Sequence, residues 1–180
     1  MHPTDRYELI RRKYDLAQRL IVLGARTSTV MQWTGFTDYR VQQIARRFAP
    51  PRRKGRWGNC PNTARYYGRS PLIEAQSLAF VCLAVEAGVI PEDEVSDPRQ
   101  TLPDLRRGER LLETFRCYSA MLKGRHLPLE RAIALLYATA GRKHLFLRNC
   151  HECGDVMLTP RVARMILCPF CRTHASVTET

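Results

Sequence analysis

The sequence predicts a mainly α-helical protein, a multi-helix domain with a helix-turn-helix-like segment near the N-terminus and a small four-cysteine module at the C-terminus. Apolar residues recur at helical spacing through most of the chain, glycine and proline separate these stretches, and two Cys-x-x-Cys pairs lie near the end. Of 180 residues, 44% are hydrophobic, which is enough for one ordinary core and a small satellite module. We expect three regions, residues 1–70, 71–144 and 145–180.

Six helices are predicted from apolar spacing and from the residues that typically start and end helices. They span about residues 6–23, 27–33, 38–48, 71–87, 104–122 and 128–140. Asp5, Thr37 and Ser70 are expected to cap the first, third and fourth of them. The fourth helix is apolar on most sides, so we expect it to be buried. Residues 145–147 are a strand candidate that leads into the cysteines.

The two short helices around Gly35 have a helix-turn-helix pattern. Apolar residues of the second of them recur at i, i+3 and i+7, which leaves Arg40, Gln43 and Arg47 together on the opposite face. Arginine can donate two hydrogen bonds to guanine and glutamine can pair with adenine, so these are the residue types of a major-groove recognition helix. An ordinary helical hairpin with a solvated polar face is the alternative.

Positive charge is concentrated in the first region. Residues 1–70 hold 15 Lys or Arg and 4 Asp or Glu, a net charge of +11. The corresponding net charges are +1 for residues 71–149 and zero for residues 150–180, out of +12 for the whole chain. Because a charge that served only solubility would be spread evenly, this distribution predicts a polyanion as partner.

Residues 50–70 form a basic loop that is rich in proline, glycine and arginine. Cations on such a loop can follow phosphates or enter a minor groove. The candidates in and just before the loop are Arg46, Arg52, Arg53, Lys54 and Arg56. Trp57, Tyr66 and Tyr67 interleave with these cations, and both base stacking and core packing remain open for them.

The strongest motif is the cysteine quartet, Cys150, Cys153, Cys168 and Cys171, with fourteen residues between its two pairs. Four thiolates around a tetrahedral ion make a closed structural zinc site, so we expect a zinc-ribbon-like module with one Zn²⁺ per chain and no metal catalysis. The gap is one residue shorter than the usual ribbon spacing. A redox pair, a disulfide and coincidence are the alternatives, and the flanking His151 and His174 are expected to be surface residues.

Several function classes are excluded by what the sequence lacks. We recognise no Ser/His/Asp set, Walker loop or dinucleotide motif, so we expect neither an enzyme nor a small-molecule substrate. The longest apolar run, residues 78–85, is too short to span a membrane, and the N-terminus does not resemble a signal peptide. Cys60, Cys82 and Cys117 remain outside the quartet, and this odd number fits a reducing compartment. A cytoplasmic location is expected.

Residues 17–26 read Ala-Gln-Arg-Leu-Ile-Val-Leu-Gly-Ala-Arg. This string resembles the N-terminal signature of FlhC, a subunit of the flagellar master transcriptional activator. The helix pair, the Pro-Pro…Lys-Gly step at residues 50–55 and the cysteine quartet follow in the same order as in that family. The similarity covers about residues 5–172 and is loose in the middle.

The resemblance implies a non-enzymatic, largely helical DNA-binding protein whose four cysteines bind zinc. It further implies a hetero-oligomer with a small companion subunit, FlhD, that activates flagellar gene promoters together with RNA polymerase. Residues 71–144 would then supply the helical core and the surface for the companion. An RNA-binding zinc-ribbon protein of the transcription or translation machinery is the alternative, and a thiol–disulfide enzyme is a third hypothesis.

Overall fold

A computed structural model describes residues 3–49, 67, 70–123, 126–142, 145–160, 167–168 and 170–172. The helices are α1 (Pro3–Val22), α2 (Thr27–Thr34), α3 (Asp38–Phe48), α4 (Pro71–Glu86), α5 (Pro98–Thr101), α6 (Leu105–Met121) and α7 (Leu129–Ala140). Two strands, β1 (Leu145–Asn149) and β2 (Val156–Pro160), pair antiparallel. The predicted class, mainly α with a C-terminal four-cysteine cluster, is confirmed. Among the helices described, none is both long and apolar enough to cross a bilayer.

The caps differ from the predicted ones at two positions. Helix α1 begins at Pro3, so Asp5 lies in its first turn, where its charge favours the helix dipole, and is not the N-cap. Thr37 occupies the N-cap position of α3, but its side chain makes no capping hydrogen bond. Ser70 is confirmed as the cap of α4, since its hydroxyl accepts a hydrogen bond from the backbone N–H of Ile73 at 3.3 Å.

Helix α4 is less buried than its composition suggested. Its fully buried stripe is short, and Leu72 at its start is 60% exposed.

Two further elements were not predicted. Helix α5 is a single turn, and the carboxylate of its N-cap Asp97 accepts hydrogen bonds from the backbone N–H groups of Arg99 and Gln100. Strand β2 forms by pairing with β1 in the register Leu147 opposite Leu158.

Helices α1, α2 and α3 pack against one another. The turn between α2 and α3 depends on Gly35, whose φ of 69° is in the left-handed region where a side chain is strained. Val30 on α2 and Val41 and Ile44 on α3 are buried in the cluster that also holds Leu16 of α1. The N-terminal region therefore folds as three helices, with the predicted helix-turn-helix pair supported by α1.

Helix α6 packs against α1 and α2 of this three-helix unit and also against α4. An aromatic group of Phe80, Phe115 and Tyr118 joins α4 to α6, with ring centroids 5.4–6.4 Å apart. The β hairpin packs on α7 and α4 through Leu145 and Leu158, which belong to the same core. One continuous hydrophobic core thus connects the N-terminal helices with the base of the cysteine module.

Candidate metal centre and nucleic-acid interface

The four predicted cysteines lie together. Their Sγ atoms are all within 4.8 Å of one another, and the Sγ atoms of Cys153 and Cys168, from different pairs, are 3.7 Å apart. Four sulfurs placed tetrahedrally at about 2.3 Å from one ion would be about 3.8 Å apart. A disulfide would require about 2.0 Å. The spacing of the sulfurs fits four ligands of one metal ion, and the quartet can hold one.

The hairpin creates the first half of this cluster. The backbone N–H of Cys150 donates to the carbonyl of Asp155 at 2.8 Å, and the N–H of Gly154 donates to the carbonyl of Cys150 at 3.0 Å. Gly154 has a φ of 76°, a conformation that favours glycine, and so lets the chain turn back into β2. In the second half, the N–H of Arg172 donates to the carbonyl of Cys168 at 3.0 Å, which closes a helical turn at residues 170–172.

Backbone N–H groups point at the sulfurs. The N–H of Cys168 lies 3.2 Å from Sγ of Cys150, and the N–H of Cys171 lies 3.3 Å from Sγ of Cys168. Hydrogen bonds from the backbone of Cys153 and Cys168 lower the pKa of Cys150 to about 6. The hydrogen bond with Cys168, followed by burial, raises the pKa of Cys171. One thiolate thus forms readily, and a bound cation would favour ionisation of the others.

Among the residues that the structure describes, few apolar side chains pack against the cysteine quartet. Cys150 and Cys168 are buried with Met157, and Leu167 packs beside them. The main core lies on the other side of the hairpin, where Leu158 is buried. An ion bound by the four sulfurs would add stability to this small cluster.

The predicted DNA-binding residues fall into two groups. Arg40, Gln43, Arg46 and Arg47 lie on α3, and all of them are exposed. The other four, Arg52, Arg53, Lys54 and Arg56, are outside the described residues. Of the three aromatic residues that interleave with the basic loop, Trp57 and Tyr66 are also outside the described residues.

Arg40 is engaged with neighbouring rings. Its Cζ atom lies 5.6 Å from the ring centroid of Tyr14 on α1 and 5.7 Å from that of Phe36 in the turn. The two rings are themselves 4.9 Å apart. Helical spacing alone placed Arg40 with Gln43 and Arg47, and it could not reveal a contact with a residue 26 positions earlier.

The basic residues of the N-terminal helices divide by location. Arg12 and Arg19 on α1 form ion pairs with Glu109 and Glu113 of α6, and the Arg26 side chain lies 3.9 Å from Glu130 of α7. The arginines near the end of α3, Arg46 and Arg47, have no ion-pair partner within the described part of the chain. Arg12, Arg19 and Arg26, which face the rest of the protein, are therefore paired with acidic residues, whereas Arg46 and Arg47 have no such partner among the described residues.

The structure shows the positions of two tyrosines, one that the sequence left open (Tyr67) and one that it did not single out (Tyr39). Tyr67 is buried, and its hydroxyl donates a hydrogen bond to the carbonyl of Leu158, so it packs in the core. Tyr39 on α3 is 72% exposed, beside the polar residues of that helix. The sequence did offer a signal for Tyr39, namely an aromatic residue near the start of α3, the second helix of the helix-turn-helix pair. Lys13 also lies near the turn, since a Cβ on Gly35 would be 3.5 Å from its Nζ.

No protein-family model matches this chain, and no curated protein matches it either.

Proposed function

We propose that this chain is a DNA-binding subunit of a transcriptional activator, similar to the flagellar master regulator. It would bind duplex promoter DNA through α3 and the basic segment that follows. A small FlhD-like companion subunit and RNA polymerase would act with it at flagellar gene promoters. The observation that carries the proposal is the outer surface of α3, where Arg46 and Arg47 have no acidic partner among the described residues.

The charge pattern supports a nucleic acid as the partner. Unpaired surface cations repel one another and are retained where a polyanion neutralises them. Arg46 and Arg47 lie in the last turn of α3, where the helix dipole favours cations. This effect does not explain the four cations at residues 52–56. If six of these cations each neutralise one phosphate, the slope of log K against log salt is about −5.

The cysteine quartet supports a structural Zn²⁺ in this proposal. Four thiolates complete a tetrahedral shell, which leaves no position for a catalytic water. Because residues 150–180 have no net charge, the metal module would stabilise the fold and would not itself attract DNA. Cys150, Cys153, Cys168 and Cys171 would be its ligands.

The companion would use the region of residues 71–144. Leu72 at the start of α4 and Met121 at the end of α6 are 60% and 65% exposed. The resemblance to the FlhC family carries this assignment, because single exposed apolar side chains are common on protein surfaces.

The test measures binding of the purified chain, with and without the co-expressed companion, to flagellar promoter duplexes and to structured RNA over a range of salt concentrations. We expect a footprint on duplex DNA and a steep salt dependence. The double variant Arg46→Ala/Arg47→Ala should weaken binding by roughly tenfold or more and flatten the salt slope by about two units. Arg116→Ala is the control, since this exposed arginine of α6 pairs with Glu113.

Tighter binding to structured RNA than to duplex DNA would favour the RNA-binding alternative. A complex that binds neither would contradict the proposal. Metal content is measured on the same preparation, and one zinc per chain is expected. A folded chain without metal, or with two readily reducible disulfides in its place, would contradict the assignment of the quartet.

A further inference from the structure

We infer that the base-reading edge of α3 is formed by Tyr39, Gln43 and Arg46, and that Arg40 positions this helix without reading bases. The inference rests on the proposed function and deepens it, because it names which side chains of the same surface would read the sequence. Three observations carry it: the direction in which α3 is buried, the contacts that engage Arg40 and Gln42, and the exposure of Tyr39.

The buried side of α3 fixes its outer side. Val41 and Ile44 are 1% and 6% exposed, and they define the direction towards the core. With about 100° between successive residues, Tyr39, Gln43 and Arg46 lie within about 60° of one another, centred opposite that direction. Arg40 lies about 90° to one side of this edge. The outermost row of polar side chains on α3 therefore consists of Tyr39, Gln43 and Arg46, at positions i, i+4 and i+7.

Two other polar side chains of α3 are occupied. Arg40 stacks against the rings of Tyr14 and Phe36, at 5.6 Å and 5.7 Å from their centroids, and so ties α3 to α1 and to the turn. Gln42 donates a hydrogen bond from its amide to the Asp38 carboxylate at 2.6 Å. Using either side chain to contact a base would require breaking these contacts, which lowers the gain from binding.

The edge has the chemistry that base recognition needs. The Tyr39 ring, 72% exposed, offers an apolar face for a thymine methyl group and a hydroxyl for a hydrogen bond. The Gln43 amide can pair with adenine, and the Arg46 guanidinium can bind guanine. Tyr39 and Arg46 are about 10.5 Å apart along the helix axis, or about three base-pair steps, so the edge would read about four consecutive base pairs.

The test selects preferred sequences from a randomised duplex library, at one fixed salt concentration, with the full chain in its companion complex. Tyr39→Ala and Gln43→Ala remove no charge, so we expect each to weaken the preferred sequence by roughly 5- to 100-fold while changing binding to random duplex by less than about twofold. Arg46→Ala should relax preference at a further position and also lower general affinity.

Gln42→Ala is the matched control for Gln43→Ala, because it changes the same residue type on the same helix, and it should retain the affinity and the preferred sequence of the wild type. Arg40→Ala, which removes the contact that positions α3, should weaken binding to preferred and random duplex alike. Altered preference in Gln42→Ala or Arg40→Ala, with unchanged preference in Tyr39→Ala and Gln43→Ala, would overturn this inference and leave the proposed function standing. A wild-type complex that enriches no duplex sequence would overturn the proposed function and the inference together. Thermal unfolding of each variant confirms that the substituted helix is still folded.

Discussion

The single hydrogen atom that serves as the side chain of Gly108 lets α6 approach two other helices. A Cβ at this position would lie 2.8 Å from Cδ2 of Leu16 on α1 and 3.2 Å from Cε3 of Trp33 on α2. Both neighbours are buried, so neither can move aside into solvent. Glycine is generally unfavourable within a helix, and its presence as the fourth residue of α6 is explained by the packing.

We expect Gly108→Ala to destabilise the protein. Alanine improves helix propensity by about 1 kcal/mol, but overpacking a filled core costs about 1–3 kcal/mol, and a contact at 2.8 Å belongs to the upper part of that range. A net loss of about 1–2 kcal/mol should appear in urea unfolding. A more stable variant would show that Leu16 repacks without cost.

Burial of Tyr137 should lower the free energy of unfolding as the pH becomes alkaline. Its ring stacks on Trp33 with centroids 6.5 Å apart, and burial raises its pKa to about 12 from the usual 10. The unfolded chain thus loses this proton first as the pH rises. The stabilising contribution is fully present below about pH 10 and is lost between about pH 10 and 12.

Replacing this residue should therefore reduce the alkaline loss. In Tyr137→Phe the urea midpoint should fall less between pH 9 and 11 than in the wild type. Tyr7→Phe, which changes a residue that is 71% exposed, should leave the pH profile unchanged. Identical profiles for all three proteins would contradict the burial argument.

At the scale of elements, α3 is attached to α1 by a cation–π contact as well as by its buried stripe. Arg40→Ala should lower the free energy of unfolding by about 0.5–1 kcal/mol, the usual value for such a contact at an exposed site. Arg47→Ala removes the same charge from the same helix without this contact and should change stability by less. Equal losses in the two variants would indicate that the rings of Tyr14 and Phe36 do not hold the arginine.

Most helices could be located from the sequence because their ends are marked by local chemistry. Ser70 caps α4, Gly35 ends α2, and both act through atoms within a few residues. Strand β2 could not be located in this way, since residues 156–160 become a strand only by pairing with β1. The start of α1 was predicted two residues too late, because Asp5 lies in the first turn of a helix that begins at Pro3 and is not its cap.

The candidate sites show the same division. Cysteine spacing predicted the quartet because the turns that gather the sulfurs are local. The exposed positions of Arg40, Gln43 and Arg47 could be predicted from helical spacing, but the contact of Arg40 with Tyr14 could not, because it joins two helices. The position of Tyr67 depends on the carbonyl of Leu158, 91 residues later, and no local pattern could reveal it.

At the scale of the whole molecule, the two ends of the protein should respond differently to metal removal. Within the described residues, the helical core is continuous and includes none of the four cysteines, whereas the cysteine cluster has Met157 and Leu167 as apolar support. Chelation should therefore leave most helical circular dichroism intact and expose the quartet. The number of thiols that react quickly with a thiol reagent should rise by four.

Cys117 provides an internal control, because it is exposed and far from the quartet in sequence. It should react equally fast before and after chelation. If chelation instead abolished the helical signal, the metal would be supporting the core as well. If the count of reactive thiols did not change, the quartet would not be holding a metal.

The closeness of α6 to the N-terminal helices also has a consequence for synthesis on the ribosome. Leu16 and Trp33 leave the ribosome well before residues 105–121, against which they are buried. At about 5–20 residues per second, the delay is roughly ten seconds. During that interval a nascent chain presents these two apolar side chains without their cover, beside a segment that carries a strong positive charge. We expect chaperones to bind the emerging chain at this stage and to leave once α6 has docked.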